Sequence, residues 1–368
     1  MRKDAAMPGI DVDLDSDTLT RPTPAMRKAM AAAPVGDEQR GEDPSVNRLC
    51  AMVAELIGKE AAVFLPSCTM GNEIAFLVQC RPGDEVLADR TSHVWLYEAG
   101  APAALAGVLV GPLDGRRGVF TPAQVEAAIR EDSRWAPRTR LVSIEQTATN
   151  GGGKVWPLSA IQGVATTARR HGLALHIDGA RLMNAVIASG VPASEYGALA
   201  DTVALDLSKG LGCPVGSVLV GSADVIREAW RWKQRLGGAM RQAGILAAAG
   251  IYALDHHVER LAEDHANARL FAESIADLSG ISVDPSGVET NIVIFDVTAT
   301  GRDAADIYRR LLGQGVRIGV LDRTRLRAVT HLDVSRAHVL RAATVVRRVI
   351  GARRVRGQRL VTRGRRPA

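Results

Sequence analysis

Five short apolar runs limit what this chain can fold into: Ala61–Leu65, Glu85–Ala88, Leu141–Glu145, Leu173–Ile177 and Thr202–Leu207, with helical patterns between them. Runs this apolar need cover on both faces, and strands that alternate with helices form crossover units. The expected class is therefore α/β, a mostly parallel sheet with helices on both sides. Upstream, a Pro- and Asp-rich arm (Asp11–Pro24) leads into a helix over Ala25–Ala33. Asp43-Pro44-Ser45 then caps a second helix that runs from Val46 to Ile57 and stops at Gly58. Beyond a helix over Ala239–Leu261 the pattern changes. A further helix, then strands over Thr290–Val297, Val316–Val320 and Arg327–Leu332, with helices over Ala304–Gln314 and Ala337–Val349, suggest a compact α+β unit.

A chain of 368 residues suits one large and one smaller domain. The division reads as 1–50 for an N-terminal arm and helices, 51–262 for the large domain, 263–350 for the small C-terminal domain and 351–368 for a basic, disordered tail. No apolar run approaches the roughly 20 residues that cross a membrane. Met1-Arg2-Lys3-Asp4 lacks an apolar signal core, so a cytoplasmic protein with no membrane partner is expected. Cys50, Cys68, Cys80 and Cys213 form no C-x-x-C pair and read as reduced thiols. The net charge of +6 is local, because Arg353–Ala368 holds seven arginines and no acid, which leaves the body near neutral. Such a tail fits a solvated terminus or an acidic contact; nucleic acid is not an expected partner of the body.

Lysine is scarce: six of the 46 basic residues, one of them Lys209 in Leu207-Ser208-Lys209-Gly210-Leu211-Gly212. Arginine cannot give up its proton, whereas a desolvated lysine can, and can then form a Schiff base. Taken alone, Lys209 fits equally a surface lysine on a glycine-rich turn. Asp178 ends the strand before it, where open α/β sheets place ligands. A carboxylate facing a ring nitrogen, opposite a Schiff-base lysine, is what pyridoxal phosphate chemistry needs. Ser67-Cys68-Thr69-Met70-Gly71-Asn72 lies between a strand and a helix and offers an anion site. His93 could stack on a ring or serve structure alone. The triplet Gly151-Gly152-Gly153 precedes Lys154 without the spacer or hydroxyl of a nucleotide loop.

Together these residues resemble the L-threonine aldolase group, of low-specificity type, in the β-eliminating lyase family of fold type I pyridoxal phosphate enzymes. The likeness runs from about Asp11 to Ser335. It rests on Ser16-Asp17-Thr18, Gly41-Glu42-Asp43-Pro44-Ser45-Val46-Asn47-Arg48-Leu49, Tyr97-Glu98-Ala99-Gly100-Ala101-Pro102-Ala103 and His176-Ile177-Asp178-Gly179-Ala180-Arg181. The motif around Lys209, Met240-Arg241-Gln242-Ala243-Gly244 and Ala328-Val329-Thr330-His331-Leu332-Asp333-Val334-Ser335 complete it. The resemblance implies a large domain with a mostly parallel seven-stranded sheet and a smaller C-terminal α+β domain. It implies pyridoxal 5'-phosphate on Lys209, Asp178 at the ring nitrogen and His93 on the ring face, these three being catalytic, with no metal. Cys68, Thr69 and Gly71 would cradle the phosphate, with Ser208 beside the lysine and Arg241 reaching in from a neighbouring subunit of a dimer or tetramer with shared sites. Arg181 and Arg327, helped by Ser16, would hold the carboxylate of an amino acid substrate, and Arg181 also borders the cofactor. The implied reaction cleaves or forms the Cα–Cβ bond of a β-hydroxy-α-amino acid, giving glycine and an aldehyde. β-Elimination, β-replacement or a non-catalytic role are the alternatives.

The departures from the family pattern gather on one side of the site. Ala148 replaces a histidine, while Gln146 and Thr149 replace asparagines. Asp15 replaces an arginine, Arg40 a tyrosine and Cys68 a glycine. Ala148 leaves room for a larger or more polar substituent and Arg40 suits an acidic one, so a substrate other than threonine is expected. The glycine triplet then reads as a flexible wall passing close to that substrate.

Overall fold

A computed structural model of the protein describes residues 9–351; the arginine-rich segment from Arg353 lies outside them. The described residues hold eleven strands in two sheets. The first strand, β1 (Val12–Leu14), belongs to the smaller sheet. The next seven, β2 (Ala61–Leu65), β3 (Glu85–Asp89), β4 (Leu109–Leu113), β5 (Thr139–Glu145), β6 (Ala174–Gly179), β7 (Thr202–Asp206) and β8 (Ser217–Gly221), form the larger in the order β2-β8-β7-β6-β5-β3-β4. Only β8 runs against the others, pairing antiparallel with β2 and β7. Strands β3, β7 and β8 are buried along their whole length, which explains their unbroken apolar runs. The α/β class and the seven-stranded, mostly parallel sheet are as expected. Two strands escaped the sequence reading. Strand β4 is a half-exposed edge strand carrying Gly111 and Pro112, and β8 lies just behind a glycine-rich turn.

The helices start and stop where local chemistry tells them to. Helix α1 spans Pro24–Ala31 and α2 Pro44–Ile57. At α2 the Asp43 carboxylate accepts from the amides of Ser45 and Val46, Pro44 sits at the first turn, and Gly58 closes the end at φ 71°. Its inner stripe, Leu49, Val53 and Ile57, is completely buried. Helix α3 (Cys68–Gln79) is capped by Ser67 Oγ, which accepts from Met70 N at 3.2 Å. The helix expected over Ala239–Leu261 is shorter at both ends, Gly244–His256, and the helix expected after it spans Leu261–Ile275. His257 is pulled aside by a 2.7 Å hydrogen bond between its Nδ1 and the Leu211 carbonyl.

The smaller sheet has the order β1-β10-β11-β9, with β9 at Ile292–Asp296, β10 at Val316–Val320 and β11 at Arg325–Val329. Its surprise is β1, three residues of the N-terminal arm that pair in parallel with β10 in the register Val12↔Val316. Too short to show a pattern, β1 is fixed from outside by Arg317, whose Nε donates to Asp13 Oδ1 at 2.9 Å. The arm is therefore part of the C-terminal sheet, and residues 15–20 cross the seam between the two sheets. No helix among the described residues is long and apolar enough to cross a membrane.

One lysine the sequence offered no reason for gets one here. Lys233 is fully buried, with Nζ 2.8 Å from Glu38 Oε2, while the other oxygen of Glu38 accepts from Met240 N. The pair holds the segment after α1 against the Gly238–Met240 turn. Lys233→Met should cost about 3–5 kcal/mol by leaving a buried carboxylate alone. Adding Glu38→Gln should recover much of that loss. Denaturant midpoints of the wild type and both variants measure this, and equal midpoints would show that the pair does not hold the segment.

Candidate active site

Parallel strands deliver their carboxyl ends to one edge, and this edge collects the chemistry. From β2 comes the Ser67–Gly71 turn, from β3 His93, from β5 Glu145 and the glycine loop, from β6 Asp178 and Arg181, and from β7 Asp206 and Lys209. Glu145 and Asp178 are register partners on neighbouring strands. Gly71 lets α3 lie on the sheet, since a Cβ there would come within 3.2 Å of the Ala204 Cβ.

Asp178 is held from several sides. Asn72 Nδ2 donates to Oδ2 at 3.0 Å, Ala180 N donates to Oδ1 at 3.0 Å, and the Cys68 thiol lies 3.7 Å from Oδ1. Burial, then the charges of Asp178 and Asp206, push the Cys68 thiol well up, so it stays protonated and can donate. Asn72 also donates to Glu98 Oε1 at 2.8 Å and accepts from His176 Nε2 at 3.0 Å. His93 Nδ1 faces the same Glu98 oxygen at 2.9 Å, and its backbone N–H donates to Glu145 Oε2 at 2.8 Å. Burial works against a charge on His93, but the hydrogen bond to Glu98 and the nearby charge of Asp178 lift it above the ordinary imidazole value. His93, Glu98 and Asp178 each bring a ligand-capable atom within 4.8 Å of the others.

Lys209 does not match the simple expectation of an amine readied by burial to lose its proton. Burial does pull in that direction, but Nζ makes a close ion pair with Asp206, and the carboxylate wins, so the amine is held above its ordinary value. Ser208 donates through N and Oγ to Asp206 Oδ1, both at 2.8 Å, and so orients the carboxylate rather than reaching outward. Asp206 was not singled out in the sequence, although it ends its strand just as Asp178 does. From the seam, Thr20 Oγ1 donates to the Lys209 carbonyl at 2.9 Å.

The second missed acid is Asp17. Arg181 Nε and Nη2 donate to its two oxygens at 2.7 and 2.8 Å, Asn291 Nδ2 donates to it at 3.0 Å, and Arg181 Nη1 donates to Thr149 Oγ1 at 2.7 Å. Asp17 is wholly buried; against the penalty of burial, the Arg181 charge holds it far below the ordinary carboxylate range. Three of the five N–H bonds of Arg181 are thus occupied and two are spare. Arg327 lies within electrostatic reach of both Arg181 and Asp17. Its Nη2 donates only weakly to the Asp15 carbonyl at 3.4 Å, and its buried Nε has no partner among the described residues. Burial and the Arg181 charge lower its hold on its proton. Ser16, next to this pair, accepts from Thr18 N at 3.2 Å and Thr18 Oγ1 at 2.9 Å.

The glycine loop is pinned rather than flexible. The buried Gln146 side chain bridges to the far end of the loop, accepting from Trp156 N at 3.0 Å and donating to Trp156 O at 3.3 Å. Arg117 Nε donates to Gly151 O at 2.7 Å and Thr290 Oγ1 to Gly153 O at 2.8 Å. A Cβ on Gly151 would fall 2.0 Å from Arg117 O, and one on Gly153 would fall 2.2 Å from Thr290 Oγ1. Gly151 and Gly153 are there for close packing, and Gly152, at φ 79°, for a left-handed turn. Ala148 is only 4 % exposed, and its methyl borders Gly118, where an added Cβ would come within 2.6 Å of it.

Residues 13–299 match the family described as Beta-eliminating lyase. The chain belongs to that family. It is 43% identical over 333 residues to the low specificity L-threonine aldolase of Escherichia coli K12, covering 90% of this chain and 97% of that enzyme. It is 42% identical to low-specificity L-threonine aldolase 1 of Arabidopsis thaliana over 89% of this chain and 93% of the plant protein. In three dimensions it is similar to a threonine aldolase from Leishmania major, with a TM-score of 0.79 over 92% of this chain and 99% of that one; at 21% identity this speaks for the fold. As a member of the β-eliminating lyase family the protein is a pyridoxal phosphate-dependent lyase, and the fold type I architecture agrees.

Two residues named from the sequence stand apart from this cluster. Arg40 is exposed, 3.9 Å from Asp37, and Arg241 Nη1 donates to Asp37 Oδ2 at 2.9 Å. The Arg181–Asp17 pair gives a sign-definite test. An acid whose folded value is depressed adds stability above its unfolded value, about pH 4, and loses it as pH falls below that. Asp17→Asn should therefore cost about 3–5 kcal/mol near neutral pH by stranding a buried guanidinium. The gap to wild type should narrow in acid, as read from unfolding midpoints across pH; a constant gap would refute the assignment.

Proposed function

We propose that the protein is an aldolase that cleaves, or in reverse forms, the Cα–Cβ bond of a β-hydroxy-α-amino acid, giving glycine and an aldehyde, and that threonine is not its best substrate. The observation that carries the reading is a set of guanidinium N–H bonds left over once Arg181 has paired with Asp17. Beside Lys209 and Asp178 stand the two spare N–H bonds of Arg181 and the unpartnered Nε of Arg327. An α-carboxylate supplies what both lack, by charge-assisted hydrogen bonds.

The chain also fits the family cofactor. The amides of Cys68 and Thr69 in the first turn of α3 have no acceptor within their own helix, which suits a phosphate there, beside Gly71, whose own amide donates to the Ser67 carbonyl. Asp178, held ready by Asn72 and Ala180, suits the ring nitrogen; His93 suits the ring face and Lys209 the aldehyde carbon. Bound there, pyridoxal phosphate supplies a ring that withdraws electrons from a bond at Cα. The residues of the chain decide which bond. Arg181 and Arg327 would fix the carboxylate, and holding it would select which bond at Cα is broken. Glu98 engages His93 Nδ1, so Nε2 is free to take the β-hydroxyl proton, in the manner of a carboxylate-oriented histidine. Asp206 stands within reach of the lysine proton.

The substrate preference follows from position 148. The loop from β5 turns a methyl rather than an imidazole towards its neighbours, while Thr149 is spent on Arg181, so this wall offers the β-substituent no titratable group. A homo-oligomer with shared sites suits the exposed Trp95, Leu96 and Tyr97 beside His93, and would bring Arg241 to a partner's phosphate.

Product analysis of the holoenzyme with a panel of β-hydroxy amino acids tests the reading. Glycine and an aldehyde are expected, with kcat/KM for threonine about tenfold or more below the best substrate, a difference within reach of one buried pocket contact. Ammonia and a keto acid would point to β-elimination instead, and efficient threonine cleavage would sink the substrate assignment. Arg327→Leu should raise KM about 10- to 100-fold by removing hydrogen bonds to a charged group, with a smaller change in kcat.

A further inference from the structure

Helix α3, which carries Cys68 and Asn72 into the site, buries an acid at its next position. Glu73 is 2 % exposed, and neither of its carboxyl oxygens has a hydrogen-bond partner among the described residues. The charged group that acts on it is Glu98. Glu98 is itself completely buried: Oε1 is taken by Asn72 and His93, and Oε2 has no partner. Among the described residues, the other elements packed on α3 bring no cation to this spot: residues 102–106 are apolar, and β5 carries the acid Glu145 and Arg140, which donates to the Gln79 and Gly172 carbonyls. Strands β2, β7 and β8 contribute Leu65, Ala204 and Leu219, and the helix Ala223–Arg235 turns Ile226 and Ala229 inward. On β6, His176 and Asp178 are bound by Asn72, and burial pushes His176 down to about 4, so it is neutral.

Two adjoining buried carboxyls with no cation between them do not both ionise; they share a proton. The Asn72 amide and the His93 ring already stabilise charge on Glu98, so the proton belongs to Glu73. We propose that Glu73 is a positioning residue held as a neutral acid, whose O–H donates to the free Oε2 of Glu98 and thereby sets the orientation and proton affinity of His93. No group in the mechanism above does this, and the carboxyl touches neither substrate nor cofactor. Burial first, and then Glu98, push Glu73 up to about 8. Above that pH the donor becomes a second negative charge, and the hold on His93 fails.

The consequence at His93 rests on the aldolase reading, whereas the location of the proton does not. Infrared difference spectra of holoenzyme, wild type minus Glu73→Gln in deuterated buffer, should show the C=O stretch of a protonated carboxyl near neutral pH, lost with a midpoint near 8. Glu73→Leu, which removes the donor, should lower kcat about tenfold with little change in KM, and Glu73→Gln, which keeps a donor, should recover it to within about threefold. The alkaline limb of the wild-type kcat profile should be absent from Glu73→Gln. The absence of a carboxyl band that depends on Glu73 overturns the proposal whatever the enzyme turns over. A band that is present, with Glu73→Leu indistinguishable from wild type in kcat and pH profile, overturns the positioning role. If Glu73→Leu does not fold, the band and the Glu73→Gln profile decide.

Discussion

The ion pair between Arg181 and Asp17 is the contact on which the site depends. Asp17 belongs to the segment that leaves β1 in the small sheet, and Arg181 to the end of β6 in the large one. Their two parallel hydrogen bonds fasten the sheets at the one place where Lys209, Arg327 and the glycine loop also meet. Removing two such charges from water costs several kcal/mol per ion, and good geometry, with a further hydrogen bond donated by Asn291 to Asp17 and one accepted by Thr149 from Arg181, is what offsets it. The pair also uses up one edge of the guanidinium and leaves the other for an anion. A structural bond and a recognition surface are thus two sides of one planar group.

Around that pair the site is rich in acid, and it holds its acids in different states. Asp17 is kept charged by Arg181 against the penalty of burial. Glu145 is pushed the other way by burial and then by Asp178, with relief from the amides of Thr149 and His93. Asp206 is matched to the lysine and oriented by Ser208. Each environment is built from backbone N–H groups, one amide side chain or one cation, so small changes in packing redistribute protons without moving the fold.

Much of this was legible in the sequence, for identifiable reasons. β2 was read to the residue, because an apolar run followed by a capped helix leaves little freedom. Lys209 and Asp178 stood out since each follows a buried strand, and the order of motifs gave the family. Other features depend on distant contacts and were hidden. β1 is only three residues and exists because β10 is beside it. Asp17, Asp206 and Lys233 look like ordinary surface charges until their partners, far away in sequence or turned inward, are known. The glycine loop misled in a different way. Three glycines suggest mobility, but here they allow close approach of Arg117 and Thr290, and Gln146 is the clamp that fixes the loop ends.

The pairing of β1 with β10 also bears on how the molecule comes into being. Val12 is made some three hundred residues before its partner Val316. At about 5–20 residues per second, the N-terminal strand waits roughly 15–60 s for the edge it needs. Until then Asp17 cannot be carried to Arg181, and the large sheet, otherwise complete, displays a guanidinium with no counter-charge. Closure of the small sheet is thus what delivers the counter-charge to Arg181 and leaves only one edge of its guanidinium open.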